Sequence, residues 1–555
     1  MTETLAHRKE LRFWGWGYAD EDLAPTERER LQQLAGLLGA GDTAVGATPR
    51  LDEYPLPPPR IKPPEGLAAI LSATPYDRIT HAYGKSFADL VRMLMRQLPH
   101  PPDLVAFPRD EQDLAGLMDF AAASGTALIP FGGGTSVCGG VETDVGGDYA
   151  AVISVDLQYL NRVLEIDQTS RAALIEGGAL GPELEAALKP HGLTLRHFPQ
   201  SFQFSTLGGW IATRAGGHFA SNYTHIDDFV ENIRMLTPGG VMESRRLPGS
   251  GAGPSPDRLM LGSEGTLGFI TQAWMRLQAR PHYRASASVT FPGLTAACDA
   301  VRLISQSGLF PSNCRLLDPV EAMMNGVGDG STALLVLAFE SADHPLDAWM
   351  TRALEIAGDC GGGWDAEAVK RSLAPAMDRA PDAGEHRAGA AGEWRQQFLR
   401  APYYRNFLTP VGIMADTFET AVTWDHFADF YAGVRERVGA AIRDATGTDG
   451  VLSCRFTHMY PDGPAPYFTF YARGTRSGGT VSGLRNMLAR WRDIKLAANA
   501  AVTSLGGTVT HHHAVGRDHR PSGYDDQVPP LFRKAFAGAR QVLDPQGMMN
   551  PGVLI

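Results

Sequence analysis

Pro130-Phe131-Gly132-Gly133-Gly134-Thr135-Ser136 is the stretch on which the predicted fold rests. It follows Ala127-Leu128-Ile129, an apolar run that predicts a short buried strand. Consecutive glycines lack Cβ atoms, so the backbone can adopt positive φ and approach a ligand closely. Successive N–H groups in such a turn form an anion-binding concavity, and Thr135 and Ser136 add hydroxyl donors. The turn suits a diphosphate, although a flexible surface loop can have the same composition.

Two later segments favour the diphosphate. The first, residues 199–217, reads PQSFQFSTLGGWIATRAGG, and the second, residues 261–271, reads LGSEGTLGFIT. Together with the glycine turn they resemble, in order and spacing, the FAD domain of the vanillyl-alcohol-oxidase-type flavoproteins over residues 100–280. No G-x-G-x-x-G motif with an acidic residue about twenty positions later is found, so the sequence does not predict a Rossmann dinucleotide site.

The resemblance implies FAD as the cofactor. Cys138 lies close to the turn, but its neighbours do not resemble a covalent flavin linkage, so we expect noncovalent FAD. The residues to which the resemblance assigns cofactor contacts are Pro130, Phe131, Gly132, Gly133, Gly134, Thr135, Ser136, Pro199, Gln200, Ser201, Ser205, Thr206, Gly208, Gly209, Ala212, Thr213, Arg214, Ala215, Glu264, Gly265, Thr266, Gly268 and Ile270.

Composition excludes several classes of protein. The formal net charge of −11 argues against nucleic acid as the main partner, because phosphate backbones require basic surface. The 5 cysteines are scattered without C-x-x-C spacing, which fits a reducing compartment and predicts neither a disulfide framework nor a zinc site. The N-terminus is polar and no long apolar run occurs, so we expect a cytoplasmic protein without a secretory signal or membrane span.

The order of predicted elements is strand, helix, strand, turn, strand, strand, helix, which indicates an α+β fold rather than a doubly wound sheet. After Thr271 strand-like runs alternate with long amphipathic helices, which predicts a cap domain facing the substrate. A Gly-, Ala-, Asp- and Arg-rich stretch, residues 360–390, predicts a long loop inserted in the cap. The predicted divisions are an N-terminal arm and helical region (1–98), a PCMH-type FAD-binding domain (99–279), a cap or substrate domain (280–500), and a C-terminal segment returning to the flavin site (501–555).

The sequences around two arginines in the second half of the chain resemble those of one branch of the superfamily, the alkyldihydroxyacetonephosphate synthases. Arg315 lies in SNCRLLD (312–318), where that family has an arginine needed for activity. Arg405 lies eleven residues before Asp416, and the resemblance directs an arginine with this spacing at the flavin and the substrate phosphate. Arginine suits this task because its planar fork binds phosphate with two hydrogen bonds and keeps its charge. The alternatives are a surface salt bridge between Arg315 and Asp318, and an ordinary surface position for Arg405.

A tyrosine and three consecutive histidines complete the resemblance. Tyr467, in the stretch 460–470, falls where the family has its proposed acid–base tyrosine, and a buried phenol can exchange a proton with a carbon acid when a positive charge is near. His511, His512 and His513 resemble the family's histidine triplet beside the flavin, where imidazoles can balance a phosphate charge or pass a proton. On a strand, His511 and His513 would face one way and His512 the other. The alternatives are a packed strand tyrosine and a polar strand end.

The resemblance implies a transferase that exchanges the acyl chain of acyl-dihydroxyacetone phosphate for a fatty alcohol through a flavin N5 adduct, without net redox change. We therefore expect a lipid substrate, no nucleic acid, a homodimer, and contact with a membrane surface as a further option. Catalysis would fall to Tyr467, the histidine triplet, Arg405 and Arg315.

A second class of enzyme shares the FAD domain, the FAD-dependent D-2-hydroxy-acid dehydrogenases of the lactate and glycolate type. These usually carry H-x-G-D-G-N-x-H and G-E-H-G, in which two histidines and the glutamate hold a divalent metal. Here Ala465 stands in place of the second histidine and His512 in place of the glutamate, so we expect no metal. His458 with His512 remains the one pair that keeps a metal site open as an alternative.

Overall fold

The computed structural model describes residues 9–40, 46–219, 221, 225–373 and 390–555, with the side chains of 390–398 left out. Mixed sheets and helices confirm the α+β class predicted from the sequence. The predicted loop at 360–390 is wrong in its first part, because a short strand at Gly363–Trp364 and a helix at Ala366–Leu373 occupy it. Residues 374–389 of that loop lie outside the described residues.

The described part of the chain contains the following strands and helices in chain order. The strands are β1 (Leu71–Ser72), β2 (Leu104–Ala106), β3 (Thr126–Phe131), β4 (Ala151–Asp156), β5 (Val163–Asp167), β6 (Ala172–Glu176), β7 (Leu193–Thr194), β8 (Val230–Thr237), β9 (Gly240–Glu243), β10 (Phe269–Arg276), β11 (Gln278–Ala279), β12 (Tyr283–Phe291), β13 (Asn313–Leu317), β14 (Ala333–Ser341), β15 (Gly363–Trp364), β16 (Ile413–Glu419), β17 (Val451–Met459) and β18 (Pro464–Arg473). The helices are α1 (Pro25–Leu37), α2 (Pro75–Thr80), α3 (Phe87–Leu94), α4 (Glu111–Ser124), α5 (Gly181–Leu188), α6 (Leu207–Thr213), α7 (Ile226–Phe229), α8 (Pro256–Met260), α9 (Leu294–Gln306), α10 (Pro319–Met324), α11 (Asp347–Asp359), α12 (Ala366–Leu373), α13 (Ala390–Leu408), α14 (Trp424–Thr446), α15 (Val481–Ser504), α16 (Asp525–Gln527) and α17 (Pro530–Leu543).

Two sheets build the half of the molecule that carries the glycine turn. The first has the order β1-β2-β4-β3, with β2, β4 and β3 parallel, and the second is antiparallel with the order β5-β6-β10-β8-β9. Helix α4 connects β2 to β3, the two strands that flank β4, because parallel strands of one sheet need a crossover connection. Asp110 caps the start of α4 by accepting the Asp113 N–H, and Gly125, at φ 66°, ends it. Strand β3 then runs straight into the glycine turn.

A seven-stranded antiparallel sheet builds the other half, with the order β15-β12-β14-β13-β17-β18-β16. Strand alternation gives it two different faces. On β18, Phe468 and Phe470 join the hydrophobic core under the helices, whereas Tyr467, Thr469 and Tyr471 line a cavity. Strand β13 alternates in the same way around Arg315, and β17 does so as far as Phe456, after which a register shift lets both Thr457 and His458 line the cavity. The inner face of this sheet is therefore a wall of polar side chains that looks toward the glycine turn.

Both ends of the described chain pack near that turn. The Met548 carbonyl accepts the Leu128 N–H, and the Asn550 N–H donates to the Leu128 carbonyl, so the C-terminal segment lies beside β3. Near the N-terminus, Trp16 packs edge-on against Phe204, with ring centroids 5.6 Å apart. Asn406 accepts the Trp16 N–H and donates to the Trp16 carbonyl, which holds this arm against α13. Among the described residues, every helix is too short or too polar to cross a membrane.

Candidate active site

A cavity of about 610 Å³ lies between the glycine turn and the inner face of the seven-stranded sheet. This volume is within the range of sites that enclose a cofactor or a substrate. Its walls include the turn, the two later glycine-containing segments, the N-terminal aromatic arm and the polar face of strands β13, β16, β17 and β18. Segments separated by hundreds of residues therefore meet at one place.

The glycine turn is packed so tightly that side chains are excluded from it. A Cβ at Gly133 would stand 1.6 Å from the Phe204 carbonyl oxygen, and one at Gly132 would stand 2.3 Å from the Thr206 hydroxyl. Gly134 has φ +63°, a left-handed conformation that favours glycine. The turn thus presents bare backbone to the cavity, and this shape fits the diphosphate of FAD.

Gly133→Ala should abolish FAD binding, because the methyl group would clash with the Phe204 backbone, which cannot rotate away. We expect the purified variant to be colourless, with FAD affinity reduced at least about 100-fold, the equivalent of roughly 3 kcal/mol. Gly147→Ala is the matched control, since a Cβ there meets nothing within 4 Å. Flavin fluorescence titration of the deflavinated proteins measures the affinity, and a yellow Gly133→Ala protein would contradict the placement of the cofactor.

The structure places most of the residues predicted to bind the cofactor on the cavity wall. Those that line it are Pro130, Phe131, Gly132, Gly133, Gly134, Thr135, Ser136, Pro199, Gln200, Ser201, Ser205, Thr206, Gly208, Gly209, Ala212, Thr213, Ala215, Glu264, Gly265, Gly268 and Ile270. Arg214 and Thr266 do not line it. Arg214 turns outward to pair with Asp227 at 2.7 Å, and the Thr266 hydroxyl donates to the Ser263 carbonyl at 2.7 Å. Their side chains are thus engaged elsewhere.

Glu264 has a structural task beside its place in the wall. Its carboxylate accepts the Val515 N–H at 2.9 Å and the Gly516 N–H at 2.8 Å. Burial raises the pKa of this carboxyl to about 7, although the hydrogen bonds from the two backbone N–H groups act in the opposite direction and lower it. The Glu264 carbonyl also accepts the Asn550 amide at 2.7 Å. Glu264 therefore fixes the C-terminal segment, including the nearby histidines, against the cofactor-binding half.

The two predicted arginines line the opposite wall. Arg405, on α13, pairs with Asp416 of β16 at 2.5 Å, and the Trp491 indole N–H donates to the other Asp416 oxygen at 2.6 Å. Arg315, on β13, is only 2% exposed, and its guanidinium donates to the His218 carbonyl at 3.4 Å. Neither residue is a surface cation. Both contribute positive charge to the cavity without being part of the glycine turn.

Tyr467 lies in the middle of the polar wall. In the register of the sheet it is paired with Glu419 on β16 and with Arg455 on β17. Its hydroxyl donates to the Thr417 hydroxyl at 3.1 Å. The centroids of the His512 and His513 rings lie 6.0 Å and 5.5 Å from that of the phenol. The structure therefore brings together the tyrosine and the histidines that the sequence predicted as proton-transfer groups.

The histidine triplet does not form a strand, and the expected alternation of its side chains is wrong. Residues 511–513 bend around Glu419, whose carboxylate accepts the backbone N–H groups of all three histidines at 2.7–3.2 Å. Three successive N–H groups can point at one carboxylate only if the backbone curves, so these residues bend instead of extending as a strand. As a result His512 and His513 line the cavity together, while His511 is turned away from it.

Burial keeps His458, His511 and His513 neutral. Burial, together with the neighbouring rings, lowers the pKa of His458 and His511 well below the ordinary value, and burial lowers that of His513. Glu419 is 1% exposed, and burial opposes its charge, but His512, His513 and the hydrogen bonds hold the pKa of this carboxyl well below its usual range. The cavity wall thus carries the neutral imidazoles of His458 and His513 near the fixed negative charge of Glu419.

Behind the wall, a second group of side chains meets His511. The His511 Nε2 atom lies 3.0 Å from both the Tyr460 hydroxyl and the His225 Nε2 atom. One ring nitrogen from each of His458, His511 and His512 lies within 4.8 Å of the other two, close enough to surround a cation. The alternative metal site therefore has a geometric basis in these three imidazoles, and the Glu419 carboxylate lies 3.3 Å from the His512 Nδ1 atom.

Sequence reasoning missed Glu419, Arg455, His225 and Tyr460 as members of the site. Arg455 and Tyr467 share a face of neighbouring strands, and period-two alternation on β17 offered a signal for Arg455. No local signal identifies Glu419, because its partners are about ninety residues away. His225 and Tyr460 likewise meet His511 only through tertiary packing.

Two family models match this chain. The family model for the FAD binding domain matches residues 102–244, and the model for the C-terminal domain of FAD linked oxidases matches residues 280–554. Alkyldihydroxyacetonephosphate synthases of Dictyostelium discoideum and Trypanosoma brucei brucei are each 29% identical; the matches cover 86% and 93% of this chain and 77% and 85% of those proteins. A solved structure of an alkyldihydroxyacetonephosphate synthase has the same fold, with a TM-score of 0.79, 24% identity and 98% of both chains covered.

Proposed function

Because this chain belongs to the FAD-linked oxidase family and uses FAD as its cofactor, we propose that it catalyses the alkyldihydroxyacetonephosphate synthase reaction. In that reaction the acyl chain of acyl-dihydroxyacetone phosphate is exchanged for a fatty alcohol, without net oxidation or reduction. One observation carries the proposal: Tyr467, His512 and His513 lie together on the cavity wall that faces the glycine turn. The wall thus offers a proton acceptor where a substrate carbon would meet the cofactor.

Each part of the wall has a task in this proposal. Arg405 and Arg315 bind the substrate phosphate, since a guanidinium fork pairs with phosphate oxygens. Tyr467 takes a proton from the substrate carbon, and His512 and His513 beside it are the groups that can pass the proton on. The bound FAD supplies an electrophilic ring for that carbon. Glu419 keeps the histidines in place and stabilises the positive charge that a proton brings to them.

The apolar part of the cavity suits an alkyl chain. Leu31, Leu34 and Leu37 of α1 and Met323 and Met324 of α10 line it. Burying the hydrocarbon surface of an alkyl chain against leucine and methionine side chains contributes roughly 25 cal/mol of binding free energy per Å². A long chain entering beside α1 would therefore gain affinity without polar contacts. This feature supports a lipid rather than a small hydroxy acid as the substrate.

Arg405→Met should raise the KM for acyl-dihydroxyacetone phosphate by about 10- to 100-fold, because a hydrogen bond to a charged group contributes roughly 1.5–3 kcal/mol. The rate at saturating substrate should change less. Arg473→Met is the control, since the Arg473 guanidinium contacts the Gly39 carbonyl and does not line the cavity. Steady-state kinetics separates the two constants, and an unchanged KM would remove Arg405 from phosphate binding.

The proposed reaction is tested directly by its products. FAD-loaded enzyme is incubated without oxygen or any electron acceptor with palmitoyl-dihydroxyacetone phosphate and a labelled fatty alcohol. We expect the labelled ether-linked product and free palmitate in equal amounts. Absence of the ether, with palmitate released only by hydrolysis, would contradict the proposed transferase.

A D-2-hydroxy-acid dehydrogenase is the second candidate, and the three histidines that can surround a cation favour it. That enzyme would form a keto acid and reduce an added acceptor, with activity that depends on a divalent metal. Assays of D-lactate and D-glycerate with and without Zn²⁺ or Mn²⁺ distinguish the two. We expect no acceptor reduction with either acid under either condition.

A further inference from the structure

Arg455 is a buried cation on the cavity wall with no role in the sequence-based prediction. It is 7% exposed and lies on β17, directly opposite Tyr467 in the register of the sheet. The carbon at the centre of its guanidinium lies 4.1 Å from the centroid of the Tyr467 ring. A cation over an aromatic face at this distance is a cation–π contact. Arg455 therefore places a positive charge over the ring of the proposed proton acceptor.

A rigid anchor holds Arg455 in this position. Its Nη1 atom donates to the Glu321 carboxylate at 2.8 Å, and the Ser453 hydroxyl donates to the other oxygen of the same carboxylate. Glu321 lies in the first turn of α10, where its own N–H donates to the Asp318 carboxylate at 2.7 Å. Glu321 and Asp318 are both buried. The guanidinium is thus fixed from behind, which keeps its charge at the ring.

Arg455 bears directly on the acidity of the phenol. Burial raises the pKa of Tyr467 above its ordinary value, and Arg455 is the strongest of the influences that counteract this, followed by the Thr417 hydrogen bond and Arg405. Glu419 acts in the opposite direction. The charged and titratable groups that face Tyr467 are Arg455 of β17, Glu419 of β16, Arg405 of α13, and His512 and His513 of the C-terminal segment.

We propose that Arg455, anchored by Glu321, is a positioning residue that stabilises the phenolate form of Tyr467 and so makes it an effective base. The proposal rests on the proposed function, in which Tyr467 accepts the substrate proton. In that step the substrate C–H bond breaks, the proton bonds to Tyr467 Oη, and the electron pair remains on the carbon. Arg455 does not touch the transferred proton and acts only through the phenol.

Two substitutions with opposite electrostatic effects test the proposal. Arg455→Met removes the positive charge and should raise the apparent pKa of Tyr467 by roughly 1–3 pH units, since an opposite charge at this distance has effects of that size. Glu321→Gln removes the counter-charge and should lower it. Arg455→Lys keeps the charge, so the pKa of Tyr467 in this variant should lie between its values in the wild type and in Arg455→Met. If Arg455 had a purely structural role, Arg455→Met and Glu321→Gln would shift the pKa of Tyr467 in the same direction.

The titration is read without any substrate. The FAD-loaded protein is labelled with ¹³Cζ-tyrosine, and the Tyr467 signal is assigned by its absence in Tyr467→Phe. Opposite shifts in Arg455→Met and Glu321→Gln would support the proposal. Equal titration in all variants, or shifts of the same sign, would overturn it. If either variant unfolds, as judged by lost FAD colour, the shift of Arg455→Lys relative to the wild type decides by its sign.

A second readout separates this inference from the proposed function. The pH profile of flavin bleaching by palmitoyl-dihydroxyacetone phosphate should move upward in Arg455→Met, with a rate at pH 8 reduced by at least about 10-fold. If the NMR titration shifts as expected but no variant is bleached by the lipid, Arg455 controls Tyr467 and the substrate assignment is wrong. If the wild type is bleached and the titration does not shift, Arg455 has no such role.

Discussion

Tyr467→Phe is expected to reduce the rate of flavin bleaching by acyl-dihydroxyacetone phosphate by about 10²–10⁴-fold, the usual contribution of a positioned acid–base group. The substitution removes one oxygen atom from a packed side chain whose ring stays between Arg455 and the histidines. FAD binding and thermal stability should therefore change little. Stopped-flow absorbance under anaerobic conditions measures the rate at saturating substrate.

Tyr471→Phe is the matched control for this prediction. Tyr471 lies on the same face of β18, four residues further on, and also lines the cavity. Among the described ring contacts, those to His512 and His513 involve Tyr467 and not Tyr471, so we expect a rate within a few-fold of the wild type. Equal loss of rate in both variants would show that a general disturbance of the wall, rather than the Tyr467 hydroxyl, is responsible.

Glu419→Ala is expected to cost roughly 3–5 kcal/mol of folding free energy, because it removes one side of a buried charged network. Glu419 accepts hydrogen bonds from the N–H groups of His511, His512 and His513 and from the Thr510 hydroxyl. In Glu419→Ala all four donors would lose this acceptor. Activity should be lost as well, since the histidines would no longer be held beside Tyr467. Urea unfolding measures the difference from the wild type.

The pH dependence of that difference follows from the depressed pKa of Glu419. A carboxyl with a lower pKa in the folded than in the unfolded state stabilises fully above its ordinary value of 4.5, and this stabilisation is lost as the pH falls through the folded-state pKa. The difference between wild type and Glu419→Ala should thus be constant from about pH 6 to 8 and shrink in acid. The control Glu243→Gln, at an exposed ion pair, should change stability by less than about 1 kcal/mol. A difference that grows in acid would contradict this role of Glu419.

Local sequence patterns were sufficient to predict the parts of the molecule that depend on local chemistry. Helix α4, which begins at its Asp110 cap and ends at Gly125, stands between two strands as in the predicted order, and the glycine turn follows a buried strand as expected. Both features depend on backbone preferences that short segments specify by themselves. The α+β class also followed from the order of the predicted elements.

Contacts made over long sequence separations could not be predicted in this way. The bend at 511–513 exists because Glu419, on another element, accepts three of its N–H groups. The position of Arg455 against Tyr467 depends on the register of β17 with β18, and the hydrophobic pattern alone leaves that register open. Arg214 shows the converse, since a residue inside a predicted cofactor segment turns outward to Asp227.

Anaerobic mixing of the yellow FAD-loaded protein with palmitoyl-dihydroxyacetone phosphate tests the central claim most directly. We expect the visible flavin absorption to bleach as free palmitate appears, and to return when a fatty alcohol is added, with the ether-linked product formed in the same amount. Bleaching by a D-2-hydroxy acid with formation of a keto acid, and no response to the lipid, would contradict the proposed transferase and identify a dehydrogenase.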